Sequence, residues 1–596
     1  MFFPTLQARP RSTQSVDVFA GYNHNVRIQE NEFFDMENLT SDQAPVLAPR
    51  KCRGLYASGA NVQGMIAKDS LCYVDGSEFV INGYRVAMEL STAAEDCPKQ
   101  LISMGAYVII MPDKKYFNTA DFADFGNIEA EVTTQTNVSF IPCKLDGTEY
   151  QPDYIQPNQP TEAANMALWM DTSVTPHSLK QYSSGTDTWV GVETTYVKIV
   201  CTGIGAAFKE YDGVKLSGLA GVTLTADETG SEAANAAQLQ ALEGNHILYG
   251  CGEDYIVVIG ILDTGSIITN TVTVSRKMPA MDFIIENDNR LWGCRYGLNN
   301  DGEVVNELYS CKLGDFKNWN VFMGISTDSY AVSLGSDGQF TGAITHAGYP
   351  LFFKENCLHK VYGQIPANFQ VQTTVCRGVQ KGCSLSMAIV NEILYYKARH
   401  AVCAYDGSLP VEMSAALGEE RYEAAVAAAH GNKYYISMAK TGTGERSLFV
   451  YDTAKGMWHK EDALGARLFC SCRDELYCAT EDGKILAMLG SGERYEQQIP
   501  WMFETGILGA SLPEKKSLVK LNIRLVLEPG SSMNILAQYD SVGPWVNLGF
   551  ITGTDLRSFV IPVKPRRCDH LRLRIEAEGA GMVFSITKTY SHGSDV

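Results

Sequence analysis

The sequence predicts an all-β protein: a β-propeller carrying a small inserted β-rich domain, followed by a C-terminal antiparallel β-sandwich. Three observations carry this expectation. Short apolar runs of strand length recur in groups of three or four, at spacings of about 40–60 residues, the size of a propeller blade. Asp-Gly turns sit between successive runs at Asp75-Gly76, Asp406-Gly407 and Asp482-Gly483, and such turns mark hairpins. The 596 residues include 53 Gly and 29 Tyr, with few long Ala/Glu/Lys/Leu stretches, a bias toward strands and turns.

Taken in order, residues 1–60 show little periodicity and read as an arm packed along a larger body, extended around Pro45 and Pro49 because a residue before proline is pushed out of the helical region. The blade pattern begins at residue 61. Met65–Ala67, Leu71–Val74 and Phe79–Ile81 form one group, and Leu101–Met104 with Tyr107–Met111 begin the next, so 61–125 reads as the first blades. The pattern resumes over 281–495, in groups that end near Trp319, Tyr362, Asp406, Trp458 and Met488. About seven blades are counted, six being possible, because a four-stranded sheet buries both faces only by stacking on neighbours. A series of hairpins within a sandwich is the competing arrangement. Residues 126–280 break the rhythm and read as the inserted domain. It holds a strand at Leu168–Asp171, a hairpin over 181–190, a strand at 195–200 and one Ala-rich helix at Glu232–Leu242. In 496–596 strict alternation returns: Val519, Leu521, Ile523, Leu525 and Leu527, then Leu571, Leu573 and Ile575, the signature of half-buried antiparallel strands. Turns are expected at Pro529-Gly530 and Val542–Pro544.

The formal net charge is −19, which disfavours tight nonspecific binding to duplex DNA and keeps the chain soluble. Met1–Gln7 lacks the basic start and apolar core of a signal peptide, so synthesis in the cytoplasm is expected, and no apolar run is long enough for a membrane span. The 16 Cys are scattered without a paired framework. Cys72, Cys294, Cys403, Cys470 and Cys478 lie inside apolar strands and read as buried free thiols. Cys470-Ser471-Cys472 puts two thiols on one strand face but lacks the second pair that a zinc site needs.

Motifs that carry chemistry are missing. There is no phosphate-binding loop, nucleophile elbow or HExxH, and the ten His are dispersed. His400 reads as a packed or rim histidine. Ser336–Phe340 is a plain turn with only a faint likeness to the Asp-box of sialidases. Asn299–Gly302 matches a calcium loop in composition but lacks the later bidentate Glu. Trp292, Trp319, Trp458 and Trp501 sit at strand ends, where packing between blades explains them better than sugar stacking. No catalytic residue, cofactor or metal is expected, and the chain is expected not to be an enzyme.

Several blocks resemble structural proteins of phages that infect gut Firmicutes. They are Phe19–Asn23, Arg27-Ile28, Glu32–Leu39, Pro49-Arg50 and Arg53-Gly54; then Leu168–Ser173 and Pro176–Lys180; and near the end Glu504–Gly506, Gln538–Ser541, Pro544-Trp545 and Pro565–Arg574. More distantly, this opening followed by propeller repeats is similar to the tail hub or nozzle proteins of short-tailed phages, which close the portal and stabilise packaged DNA. The resemblance implies a virion tail component that forms a ring with copies of itself, contacts neighbouring tail or portal-adaptor proteins, and meets DNA only transiently. It implies no catalytic position. Arg27, Asp35, Arg50 and Arg53 in the arm, and Arg566, Arg567, Asp569 and Arg572 near the end, are the implied ion-pair or interface residues. Recognition of a host-surface glycan, or its degradation, is the alternative.

Overall fold

The computed structural model describes residues 11–59, 61–92, 98–174, 177–222, 231–299, 302–512 and 514–592. The Asn299–Gly302 turn and the Pro176 block therefore lie partly outside the described residues, and Met1–Gln7 wholly so. The fold is all-β and is a β-propeller with two added β-domains. Among the described residues seven antiparallel meanders recur, six of four strands at 62–87, 100–127, 283–333, 342–375, 388–412 and 422–460, and one of three at 466–487 that is completed from elsewhere. They are numbered blades 1–7 here. Each arises as its pattern requires, with tight turns between short apolar strands: Gly76, Gly407 and Gly483 of the Asp-Gly turns all take positive φ, which glycine adopts without strain.

Two compact units emerge. The first holds residues through Leu101, Gly338–Lys360 and everything from Gln372; the second holds Ile102–Asp337 and Val361–Val371. Within the first unit, the innermost strands of blades 5, 6, 7 and 1 lie side by side in that order. Blade 7 has three strands of its own, Ala466–Cys472, Glu475–Thr480 and Lys484–Ala487, and its fourth is Gly54–Ser58 from the N-terminal region. The expected arm thus contains a blade strand, and blade 1 begins four residues later, at Val62. One core runs from Phe353, Tyr396 and Tyr434 in blades 4–6 to Phe33 of the arm and Ile523 of the C-terminal domain.

The C-terminal domain is one sheet folded on itself. Its centre is a strand of 24 residues, Lys516–Tyr539. The first half pairs with Gly581–His592 and the second with Leu571–Glu578. Pro529-Gly530, expected to be a turn, is instead the corner where the partner changes. The two halves bury Leu521, Ile523, Leu525 and Leu527 with Met533, Ile535 and Ala537, giving the expected sandwich core. Val519 departs from the expected alternation. The register shifts between Leu518 and Lys520, so Leu518 is buried and Val519 only half so, as a bulge requires. The arm extends this sheet at both margins: Arg11–Val16 pairs with Gly581–His592 and Glu32–Glu37 with Pro500–Thr505.

In the second unit, blades 2 and 3 share a core through Ile109, Tyr116, Leu291 and Phe316. The inserted domain packs a four-stranded on a five-stranded sheet around Phe140, Val197, Leu216 and Ile256. Its helix spans Ser231–Gln240, and Leu239 reaches that core. A third small sheet, 154–191, buries Trp169, whose ring meets Trp189, and Trp189 in turn packs against Tyr154 and Tyr182.

The joint of Gly54–Ser58 with blade 7 tolerates no side chain at its first residue. A Cβ on Gly54 would lie 1.8 Å from the Ser491 carbonyl oxygen, so backbone must shift. Gly54→Ala is expected to cost about 1–3 kcal/mol in denaturant unfolding, whereas Gly185→Ala, which meets nothing within 4 Å, is expected to cost little.

Candidate functional site

Three stretches of chain converge on one buried ionic cluster. Arg50 and Arg53 come from the arm, Glu461 and Asp462 from the link between blades 6 and 7, and Glu496 from the passage into the C-terminal domain. Arg50 holds Glu496 through two bonds of 2.7 and 3.0 Å and donates Nε to Asn38 at 2.8 Å. Arg53 donates to Asp462 at 2.6 Å and to Glu461 at 2.9 Å, and its backbone N–H to Glu496 at 2.7 Å. Both arginines are buried within the chain. They form internal ion pairs, the buried one of the two alternatives that the resemblance implies for these residues. Burial pushes the Glu461 carboxyl up, against the opposing pull of Arg53 and Arg50. At Asp462 and Glu496 burial pushes the same way, but the bonds and charges of the two arginines outweigh it and hold both carboxyls below the usual range.

Beside this cluster opens a cleft of about 570 Å³, with Thr40 and Asp42 of the arm on one wall and Lys433, Asp452 and Lys455 of blade 6 on the other. Its charges answer each other. Lys433 donates to Asp42 at 2.6 Å and Thr40 at 3.0 Å, Lys455 donates to the Ser41 carbonyl, and Ser41 donates to Asp452 at 2.7 Å. The cleft is thus a stitched seam holding the arm to blade 6. Asp35, another expected residue, extends it, pairing with Lys460 at 3.1 Å.

The C-terminal candidates lie on the folded sheet. Arg572 pairs with the buried Glu504 and stacks its guanidinium 4.7 Å from the Phe34 ring; Arg574 also reaches Glu504, at 2.6 Å, and lies 4.4 Å from the Trp545 ring. Arg566 sits 5.1 Å from the Tyr539 ring, and Asp569 pairs with His570 at 3.0 Å. Arg567 and Arg27 are exposed. The eight residues do not form one site: three belong to the arm's attachment, four to the last sheet, and Arg27 stands apart. Pairwise reasoning along the chain could not supply Glu461, Asp462, Glu496 or Glu504, because their partners are distant in sequence.

The same sheet leaves a strand edge open. Among the described residues Val546–Ile561, of 16 residues, pairs with the long central strand alone. It exposes Val546 by 40%, Phe550 by 61%, Leu556 by 46% and Val560 by 62%. Trp292, Trp319, Trp458 and Trp501 are all buried, in line with the packing reading. Cys72, Cys294, Cys403, Cys470 and Cys478 are buried free thiols, and burial raises the Cys470 thiol to about 12. Among the described residues no group of three or more His, Cys, Asp or Glu side chains could hold a metal ion, and no helix is long and apolar enough to cross a membrane.

No protein-family model matches the chain, and no curated protein does. Solved structures do resemble it. An exo-β-1,3-galactanase from Phanerochaete chrysosporium is 8% identical, with a TM-score of 0.20, over 51% of this chain and 94% of that one. PorZ, a surface component of the type-IX secretion system of Porphyromonas gingivalis, is 11% identical with a TM-score of 0.25, over 88% and 82%. A family 43 arabinoxylan arabinofuranohydrolase from Bacillus subtilis is 9% identical with a TM-score of 0.16, over 52% and 95%. These likenesses concern fold alone. They correct one expectation: the chain was expected not to be an enzyme, yet glycoside hydrolases stand among its structural neighbours, so the fold does not set it apart from enzymes.

Replacing Arg53 by Met would remove the short bonds to Glu461 and Asp462 and leave both only the more distant Arg50, at 3.7 and 3.3 Å. Removing one partner of a buried ion pair costs about 3–5 kcal/mol, and that loss is expected in denaturant unfolding. Glu461→Gln is expected to cost much less, because Glu461 is the carboxyl that burial already pushes toward its neutral form.

Proposed function

We propose that the chain is a structural component of a phage tail, a ring-forming hub, nozzle or adaptor that continues the DNA channel and holds neighbouring tail proteins. The observation that carries this reading is the open edge Val546–Ile561. A long apolar edge invites pairing with another chain, and proteins that stay alone blunt or cover such edges. A head-to-tail ring needs two different patches on each subunit. The first half of the folded sheet offers both, since it runs from Arg11–Val16 at one margin through Gly581–His592 and the central strand to 557–561 at the other. Edge-to-edge addition of one subunit's Arg11–Val16 to the next subunit's 557–561 continues the sheet from copy to copy. The stitched arm supports the same reading, because strand pairing holds Arg11–Val16 on Gly581–His592 and ion pairs anchor the arm beyond it.

Light scattering of the purified chain tests this, with electron microscopy of the particles. A closed oligomer is expected, with a subunit contact above about 1,000 Å². Phe550→Asp with Val560→Asp is expected to yield monomers of unchanged melting temperature, since both side chains are exposed and surface changes stay within about 0.5 kcal/mol. A wild-type chain that remains monomeric at every concentration would remove the ring from the proposal.

A further inference from the structure

Although the chain is acidic overall, one end of blades 5 and 6 gathers cations. In a four-stranded meander the turn between second and third strands and the crossover to the next blade fall at the same end. Three such connections meet here: Arg377 follows the outer strand of blade 4, Arg399 and His400 form the central turn of blade 5, and Arg421 ends the crossover to blade 6. Arg421 donates to Nδ1 of His400. Because a guanidinium only donates, Nδ1 must be the acceptor, and the neutral imidazole carries its proton on Nε2. The surrounding charges of Arg421, Arg399, Lys397 and Arg377 all act to keep that imidazole neutral, adding to the effect of desolvation.

The acids nearby are otherwise engaged. Glu412 pairs with Arg377 at 3.0 Å, and Glu420 pairs with Lys440 and accepts from Tyr422 at 3.0 Å. Glu419 and Glu423 flank Arg421 in sequence, yet among the described residues no carboxylate forms an ion pair with Arg399 or Arg421. Arg399, His400 and Arg421 are all exposed. Two guanidinium groups and an Nε2–H therefore stand together with no anion of the chain's own.

We infer that Arg399, His400 and Arg421 form a binding site for an oxyanion, and that the oxyanion is a phosphodiester of DNA. Planar guanidinium donors match phosphate oxygens in pairs, and the exposed rim admits a continuous backbone. The naming of DNA rests on the tail reading; the oxyanion site does not. The charge of −19 does not forbid the contact, because at physiological salt charges beyond about 8 Å are largely screened and the local cations decide. With so few phosphates engaged the contact is weak and carries no base readout, as a wall past which DNA slides requires.

The test uses the full chain and a short fluorescent DNA duplex, with anisotropy read across a salt series. Wild type is expected to bind at low salt, and Arg399→Ala with Arg421→Ala to lose most of that binding. The slope of log K against log salt is expected to shrink by about 1.8, two phosphates at about 0.9 each. Unchanged melting temperature checks that the variant is folded. His400→Gln, which keeps a donor, is expected to bind within a few-fold of wild type. Equal binding by wild type and the double variant overturns the site, as does no binding by wild type. Competition by a polyanion that carries no bases, such as polyphosphate, is expected; a stronger response to a carboxylated polysaccharide than to DNA overturns the assignment to DNA. A monomeric chain that still loses DNA binding in the double variant removes the ring and leaves the site.

Discussion

The buried cluster of Arg50 and Arg53 with Glu461, Asp462 and Glu496 is the constraint on which the first unit depends. It lies where the arm, the link from blade 6 to blade 7 and the exit toward the C-terminal domain cross. Two cations face three carboxylates, and Glu461 is the one that burial pushes up, with the neighbouring Asp462 charge adding to the push and the arginines opposing it. Desolvating such a group is costly, and a buried ion pair contributes little net stability over an apolar replacement. What it does contribute is specificity: any arrangement that misplaces one of the three strands leaves a buried charge unanswered. That penalty selects one path for the arm, and the path positions the strand that completes blade 7.

The same logic extends along the arm. Lys588, almost wholly buried, donates to Glu30 at 2.6 Å; Asp35 meets Lys460 and Asp42 meets Lys433. The first ties the arm to the folded sheet, and the other two tie it to blade 6. The arm thereby makes one body of blade 6, blade 7 and the folded sheet, joining segments 391 to 558 residues apart in the chain. Such nonlocal closure is slow to form, so the arm's strands are expected to dock after the blades have formed locally.

Local signals made much of this legible. The blade repeat, the Asp-Gly turns, the Ala-rich helix, the inserted domain and the alternating C-terminal strands all depend on contacts within a few tens of residues, where periodicity reports burial directly. What depended on distant pairing stayed hidden. Gly54–Ser58 is too short and too ordinary to announce that it completes a sheet begun at Ala466. Arg50 and Arg53 were visible as charges, but nothing near them in sequence names Glu461 or Glu496. Pro529-Gly530 carries every mark of a turn, and only the partners of the long strand turn it into a corner. Val519 fits the alternation on paper, yet the register shift beside it hands the core position to Leu518.

The long strand Lys516–Tyr539 also explains why an edge remains open. A strand of ordinary length would end at the corner and leave each half-sheet with its own short margins. Continuity through the corner instead obliges its neighbour Val546–Ile561 to follow it, pairing with both halves and crossing the same bend. Irregular pairing near Leu527 and Thr554 twists the middle of that edge away from regular addition, which leaves 557–561 as the straight segment able to accept a further strand. The geometry that folds the domain and the geometry that leaves it open are therefore one feature, and an edge kept apolar at Val560 beside so polar a strand as Arg11–Val16 favours unlike margins meeting over two copies of the same margin.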